Sequence, residues 1–309
     1  MKKATVNSEQ IRKSMKQAIG FNFYDVFVVL FCVIFAIICF YPMWYVFVAS
    51  ITPYEQFVKG GTLLWPNGGI DFQYYQVIFN NASFVSSLWI SASKTVIGTL
   101  MCLIITSTMA YAVSKAYVPG MKLLNVLTVF TMFFGGGLIP TYILYIRLKL
   151  IRTYWVMVLP YGLSITYFII MRNYFSYSVS KELEEAARID GCNDVKVFFR
   201  VILPLSKPML AAVGLFIAVS FWNDYYSYMM YIATKPALQP FAWVLRRVLT
   251  ESSMISQMRN GAADFADQLP PPMALRMATI ICAMTPIMCV YPFLQKHFAK
   301  GVMIGAVKE

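Results

Sequence analysis

The sequence predicts an all-α polytopic membrane protein: six transmembrane helices, with a charged helical insert on the cytoplasmic side between the fourth and the fifth. Three observations carry this. Of 309 residues, 59% are hydrophobic and only 13% charged, whereas a soluble domain carries about 25% charged residues. Six apolar segments each approach the roughly twenty residues that cross about 30 Å of hydrocarbon. Residues 178–208 interrupt that pattern with charged helix formers, which in a lipid-buried chain must face water.

In chain order, residues 1–22 read as a short amphipathic cytoplasmic segment and residues 23–309 as one membrane domain without internal duplication. The first span is Val26–Ser50. Its apolar region is too long for a cleaved signal peptide, and Phe40-Tyr-Pro-Met-Trp-Tyr45 lacks the small residues of a cleavage site. Its Tyr and Trp suit an interfacial anchor. A long outside loop, 51–87, leads to the second span, Leu88–Val113. The third is Leu123–Tyr145, the fourth Tyr154–Met171 and the fifth Met209–Ile232. A second long outside loop, 233–273, ends in Leu269-Pro-Pro-Pro272, which stiffens the approach to the sixth span, Ala274–Phe293.

Orientation follows from the basic residues, which favour cytoplasmic loops. Of 26 Lys and Arg, Lys94 and Arg276 lie within or near spans. Eight (Lys59, Arg147, Lys149, Arg152, Lys235, Arg246, Arg247, Arg259) fall on one side, leaving sixteen on the side of the amino terminus. Both termini are therefore expected in the cytoplasm. The cluster Arg147, Lys149 and Arg152 runs against the rule; it either meets an acidic docking partner or binds lipid headgroups.

Several function classes drop out. The formal charge of +12 is spread over short loops with no basic, aromatic-interleaved patch, so nucleic acid is not expected. Five of six cysteines lie inside apolar spans and only Cys192 in a loop, with no CxxC or Cys/His metal spacing. The single histidine, His297, reads as an interfacial residue. No Ser/His pair, His-Glu-x-x-His or paired intramembrane Asp supports an enzyme. A single central carboxylate, Asp224, is fewer than an ion-coupled secondary transporter usually carries, which leaves that class as a lesser alternative.

The insert carries the strongest signal. Ser180 is placed to cap a helix whose first turns hold Glu182, Glu184 and Glu185, where the helix dipole favours acids. Leu183, Ala186, Ala187 and Asp190 follow at i, i+3, i+4 and i+7, making one small, shallow face. Gly191 supplies a turn. A second helix is expected from Asn193 or Asp194, with Pro204 and Pro208 redirecting the chain into the fifth span. An interfacial helix lying on lipid would instead show bulky apolar residues opposite Lys or Arg.

The spacing Glu185-Ala-Ala, three residues, Gly191, nine residues, Val201-Ile-Leu203-Pro204 resembles the EAA loop of permease subunits in ATP-binding-cassette (ABC) importers, with Val201 where Ile is commoner. Val290-Tyr-Pro-Phe-Leu-Gln-Lys-His-Phe298, Gly301-Val-Met-Ile-Gly-Ala-Val-Lys308 and Phe221-Trp-Asn-Asp-Tyr225 are similar to the carbohydrate, maltose-type inner-permease branch. Within that branch the likeness is greatest to the LplC-type permeases of Gram-positive bacteria. The resemblance implies an importer subunit of the plasma membrane that moves a carbohydrate, with an oligosaccharide first in line and another solute as the alternative. It implies a second, non-identical permease, two ATPase subunits and an extracellular binding lipoprotein as partners. Glu184, Glu185, Ala186, Ala187, Asp190, Gly191, Leu203 and Pro204 would then form the ATPase-coupling loop. The chain contains no Gly-Lys pair and hence no P-loop, so ATP and Mg belong to the partner subunits and no cofactor is expected here.

Candidates for a transport path are Trp222, Asn223, Asp224 and Tyr225 in the fifth span and Gly136 and Tyr142 in the third. A buried carboxylate needs a partner, and sugars favour flat aromatic faces beside polar groups. Either Lys94 or Arg276 would pair with Asp224. The run Gly135–Gly137 with Pro140 either faces a cavity or packs tightly against another helix.

Overall fold

The computed structural model describes residues 23–53, 56, 59, 64–66, 68–115, 117–259 and 273–306, with the backbone alone for 251–259 and 293–306. The amino-terminal segment 1–22, Leu269-Pro-Pro-Pro272 and the side chain of His297 lie outside the described residues. The described secondary structure is helical, with no strand among the described residues. Two compact units divide at Asp71/Phe72.

The first unit is built on α1, Phe23–Ile51, which is apolar all round, as a membrane span is. At 1.5 Å per residue its 29 residues reach about 44 Å, ample for a bilayer. Phe31 and Phe35 stack at 6.4 Å, and Phe40, Trp44 and Phe47 continue the ladder at about one-turn intervals. The Trp44 indole donates to the Leu64 carbonyl at 3.0 Å, which ties the following segment back to the helix.

The second unit begins with α2, Gln73–Asn80, and α3, Ala82–Ser114. Helix α3 starts six residues before the expected second span because Asn81 caps it, its side chain accepting from the amides of Ser83 (3.0 Å) and Phe84 (3.3 Å). Its 33 residues form the spine of the unit. Against it pack α6, Ile165–Tyr177, and α9, Lys207–Asn223. Two glycines set how closely α9 approaches: a Cβ on Gly98 would fall 2.6 Å from the Phe221 ring, and one on Gly214 3.1 Å from Leu103. Phe168, Met171, Val197, Ile202 and Val213 fill the core between these elements.

Three expected spans are not continuous helices. The third is α4, Met121–Phe133, and α5, Leu138–Arg147, which meet at 116° across Phe134–Gly137. Gly137 at φ +82° takes a conformation that side-chain residues enter at a cost. The fourth opens as 3₁₀ turns, Tyr154–Met157 and Leu159–Tyr161, before α6; Pro160 has no N–H to continue an α-helix. The fifth stops at Asn223 and resumes as α10, Tyr226–Tyr231. The expected outside loop 233–273 contains α11, Phe241–Arg259, which packs on α3 and on α12, Met273–Ala306.

Candidate functional site

Two regions draw together the residues singled out in the sequence. The insert forms α7, Lys181–Ile189, and α8, Asp194–Val197. Ser180 stands at the N-cap position but bonds no backbone amide there; its hydroxyl instead donates to the Glu182 carboxylate. Gly191 adopts φ +80°. Its N–H reaches the Arg188 carbonyl and that of Cys192 the Ala187 carbonyl, both at 3.0 Å, a Schellman closure that needs the left-handed residue. Asn193 then caps α8 by accepting from the Lys196 amide at 2.9 Å.

Beyond α8 the chain widens into a π-turn, Phe198–Ile202, then runs through Leu203–Leu205 and bends 80° into α9. A proline ring clashes with the carbonyl four residues back, here that of Arg200, and the wider turn relieves it. Pro208 occupies the first turn of α9, where its missing N–H costs nothing.

The acids of α7 have different surroundings. Glu184 is buried and ion-paired to Lys115, the residue that ends α3. Lys115 also lies 4.5 Å from the centre of the Tyr111 ring. Glu185, Ala186 and Asp190 are exposed, together with Leu183 and Ile189, while Ala187 turns toward the core. A second tie joins Arg188 to Asp194 at 2.9 Å and to the Tyr117 hydroxyl. Lys115 and Tyr117 were not recognisable in the sequence, because each partner lies about 70 positions away.

The other region surrounds the break in the fifth span. Asp224 is extended, φ −73° and ψ 111°. Its carboxylate caps α10, accepting the Ser227 amide at 3.1 Å and the Ser227 hydroxyl. Of the two cations left open by the sequence, Lys94 is the partner. Its fully buried ammonium donates to the Asp224 carbonyl at 2.7 Å and to its carboxylate at 3.1 Å. One lysine thereby satisfies both a backbone group freed by the break and a partly buried charge. Arg276 is not the partner.

The break sorts its neighbours onto two faces. Asp224 opens into a cavity of about 310 Å³ lined by Tyr161, Tyr167, Phe221, Ser164 and Ser220. Asn223 and Tyr225 face another, of about 340 Å³, with Arg246 on α11. Trp222 is buried, its indole donating to the Ala283 carbonyl at 3.1 Å, so it braces α9 against α12. Gly136 lies elsewhere, at the α4–α5 break; a Cβ on Gly135 or Gly136 meets nothing within 4 Å, so neither packs closely on another helix among the described residues of this chain. Tyr142 stacks on Tyr231 at 5.9 Å, attaching α5 to α10. Ser91 accepts from the Phe241 amide near one end of α3, and Lys115 marks the other, about 36 Å away at 1.5 Å per residue.

Residues 116–304, which include the insert and the Asp224 break, match the family described as "Binding-protein-dependent transport system inner membrane component". The chain belongs to that family. As a permease of this family it is a transport component of an ABC importer and not an enzyme. It is 38% identical over 286 residues to the polygalacturonan/rhamnogalacturonan transport system permease protein YtcP of Bacillus subtilis (strain 168), covering 92% of this chain and 98% of that one. It is 38% identical over 268 residues to protein LplC of the same organism, covering 86% and 88%. Among solved structures, a bacterial ABC transporter involved in the import of the acidic polysaccharide alginate superposes with a TM-score of 0.77 at 29% identity. That match covers 89% of the permease and 96% of the transporter chain.

Proposed function

We propose that this permease carries a carbohydrate, an oligosaccharide, into the cytoplasm by alternating access, as one half of a two-permease channel driven by separate ATPase subunits. Both termini and the α7–α8 insert lie in the cytoplasm of a Gram-positive cell, and the break at Asp224 belongs to the half nearer the outside, where an extracellular binding lipoprotein delivers cargo. ATP and Mg are held by the ATPases. The carbohydrate reading draws support from the systems named above, and the acidic polysaccharide that the alginate importer handles makes a carboxylate-bearing oligosaccharide the first cargo to try.

One observation carries the mechanism. Helix α7 is clamped to the end of α3 through Glu184 and Lys115 while Leu183, Glu185, Ala186, Ile189 and Asp190 remain exposed. A small, partly apolar face with acids at its edge suits a groove on a soluble subunit. The clamp and the 80° bend into α9 give that subunit rigid levers on two core helices at once. Residues 178–208 then act as the coupling loop, with Gly191, Leu203 and Pro204 fixing its angle.

Glu184 and Glu185 have separable roles, and charge reversal tests them. Glu185→Lys should abolish ATPase co-purification and uptake while the thermal midpoint of the detergent-solubilised permease stays at the parent value. Glu184→Lys faces Lys115 and should lower that midpoint by several degrees. Parent-level ATPase capture by the Glu185 variant would refute the coupling face.

A further inference from the structure

Arg246 extends from α11 over the ring of Tyr225, its guanidinium carbon 4.3 Å from the ring centre. The pair lines the cavity of about 340 Å³ with Asn223, Leu245 and Leu249. That volume is at the small end of ligand sites, which run from about 300 Å³ upward, and fits one sugar ring better than a whole chain. Among the described residues no carboxylate pairs with Arg246. The Asn223 side chain is exposed and has no hydrogen-bond partner among the described residues.

A guanidinium laid on a tyrosine face has its position fixed but keeps its N–H edge free. That edge matches a carboxylate with two parallel hydrogen bonds, which a hydroxyl cannot reproduce. Tyr225, Leu245 and Leu249 offer apolar surface to the C–H face of a pyranose, and the Asn223 amide can both donate to and accept from its hydroxyls. The acid between Asn223 and Tyr225 does not oppose an anion here: Asp224 opens into the other cavity and is neutralised by Lys94. An arginine serving only lipid headgroups would extend away from the bundle, not fold back across a ring at a helix break.

We propose that Arg246, with Asn223 and Tyr225, forms a subsite that reads the carboxylate of a uronate unit in the passing oligosaccharide. The proposal rests on the carbohydrate reading above and adds the charge of the cargo and the group that recognises it.

The test is uptake by proteoliposomes holding the intact importer, with its binding protein saturated so that the permease sets the rate. The probes are trigalacturonate and neutral maltotriose, and the chains compared are the parent, Arg246→Gln and Arg246→Lys, each matched for membrane abundance. Losing a charge-assisted pair should slow trigalacturonate uptake by about tenfold to a hundredfold in Arg246→Gln. Arg246→Lys, which keeps the charge without the fork, should fall between the two. Parent-like trigalacturonate uptake by Arg246→Gln would overturn the subsite, as would equal loss of trigalacturonate and maltotriose uptake. A parent that moves maltotriose and no trigalacturonate overturns the uronate proposal and leaves the carbohydrate reading standing. A parent that moves neither sugar overturns both.

Discussion

Lys94 and Asp224, 130 positions apart, meet where a span is interrupted, and neither is placed at random. The lysine is fully buried, whereas the aspartate keeps 21% of its side chain exposed. Removing one member of such a pair strands the other, and the stranded group's surroundings set the penalty. In Asp224→Asn a buried ammonium is left with carbonyl oxygens only. In Lys94→Met the carboxylate still holds both Ser227 donors. We expect Asp224→Asn to be the costlier single change, at about 3 kcal/mol of stability, and Lys94→Met the milder. Lys94→Met with Asp224→Asn should recover much of the loss, since Asn still caps α10 and no charge is buried. Thermal unfolding of the purified permease measures all three; a double variant as unstable as the sum of the singles would show that the groups do not act as a pair.

At the scale of elements, apolarity pointed to six spans and missed the breaks within three of them. Among the described residues four helices are long and apolar enough to cross a membrane, or up to six if each bent pair is one span. Gly135–Gly137 was conspicuous in the sequence, yet the 116° turn there depends on open space that composition does not record. The interruption at Asp224 is stabilised by a lysine on another helix, a tertiary fact invisible to any local window. Helix α11 lies in the expected loop 233–273; Arg246 and Arg247 interrupt its apolar pattern, and its packing on α3 and α12 overrides that weak local signal. The insert was the most legible part, since capping and turn rules are local: Asn193, Gly191 and the proline positions all behave as their chemistry requires. Ser180 did not, because its hydroxyl finds the Glu182 carboxylate first.

The Gly191 turn gives a graded prediction. No atom would contact a Cβ there, so Gly191→Ala meets only left-handed strain, about 1–2 kcal/mol. Gly191→Pro cannot reach φ +80° and deletes the N–H that closes the turn on Arg188. We expect the alanine variant to resist protease near residues 181–197 almost as the parent does, and the proline variant to be cut there rapidly. Equal cutting of the two would mean that the turn's geometry does not hold the insert.

For the whole molecule, the coupling proposed above requires an event at Lys115 to be felt at Lys94, roughly 32 Å along one helix at 1.5 Å per residue. Two rigid rods in close contact can do this if they slide or tilt together, and α3 with α9 has that form. Both reach from the insert to the Asp224 break, and they interlock at two glycines, Gly98 leaving room for the Phe221 ring of α9 and Gly214 for the Leu103 side chain of α3. Phe221 links the rods to the break, because it fills the space over Gly98 and also lines the cavity that Asp224 opens into. A methyl on Gly98, 2.6 Å from that ring, must push Phe221 aside or hold α3 and α9 apart. Overpacking of this kind costs about 1–3 kcal/mol, and here the displaced ring would also intrude on that cavity. We therefore expect Gly98→Ala to cut uptake at least tenfold while ATPase subunits still co-purify, since the insert is untouched. Trimming the ring should answer it: Gly98→Ala with Phe221→Leu restores room between the rods, and uptake should recover by more than half of the loss. If the second change rescues nothing, the close approach of α3 and α9 at Gly98 is mere packing, and the force from the insert must reach the break by way of α6 instead.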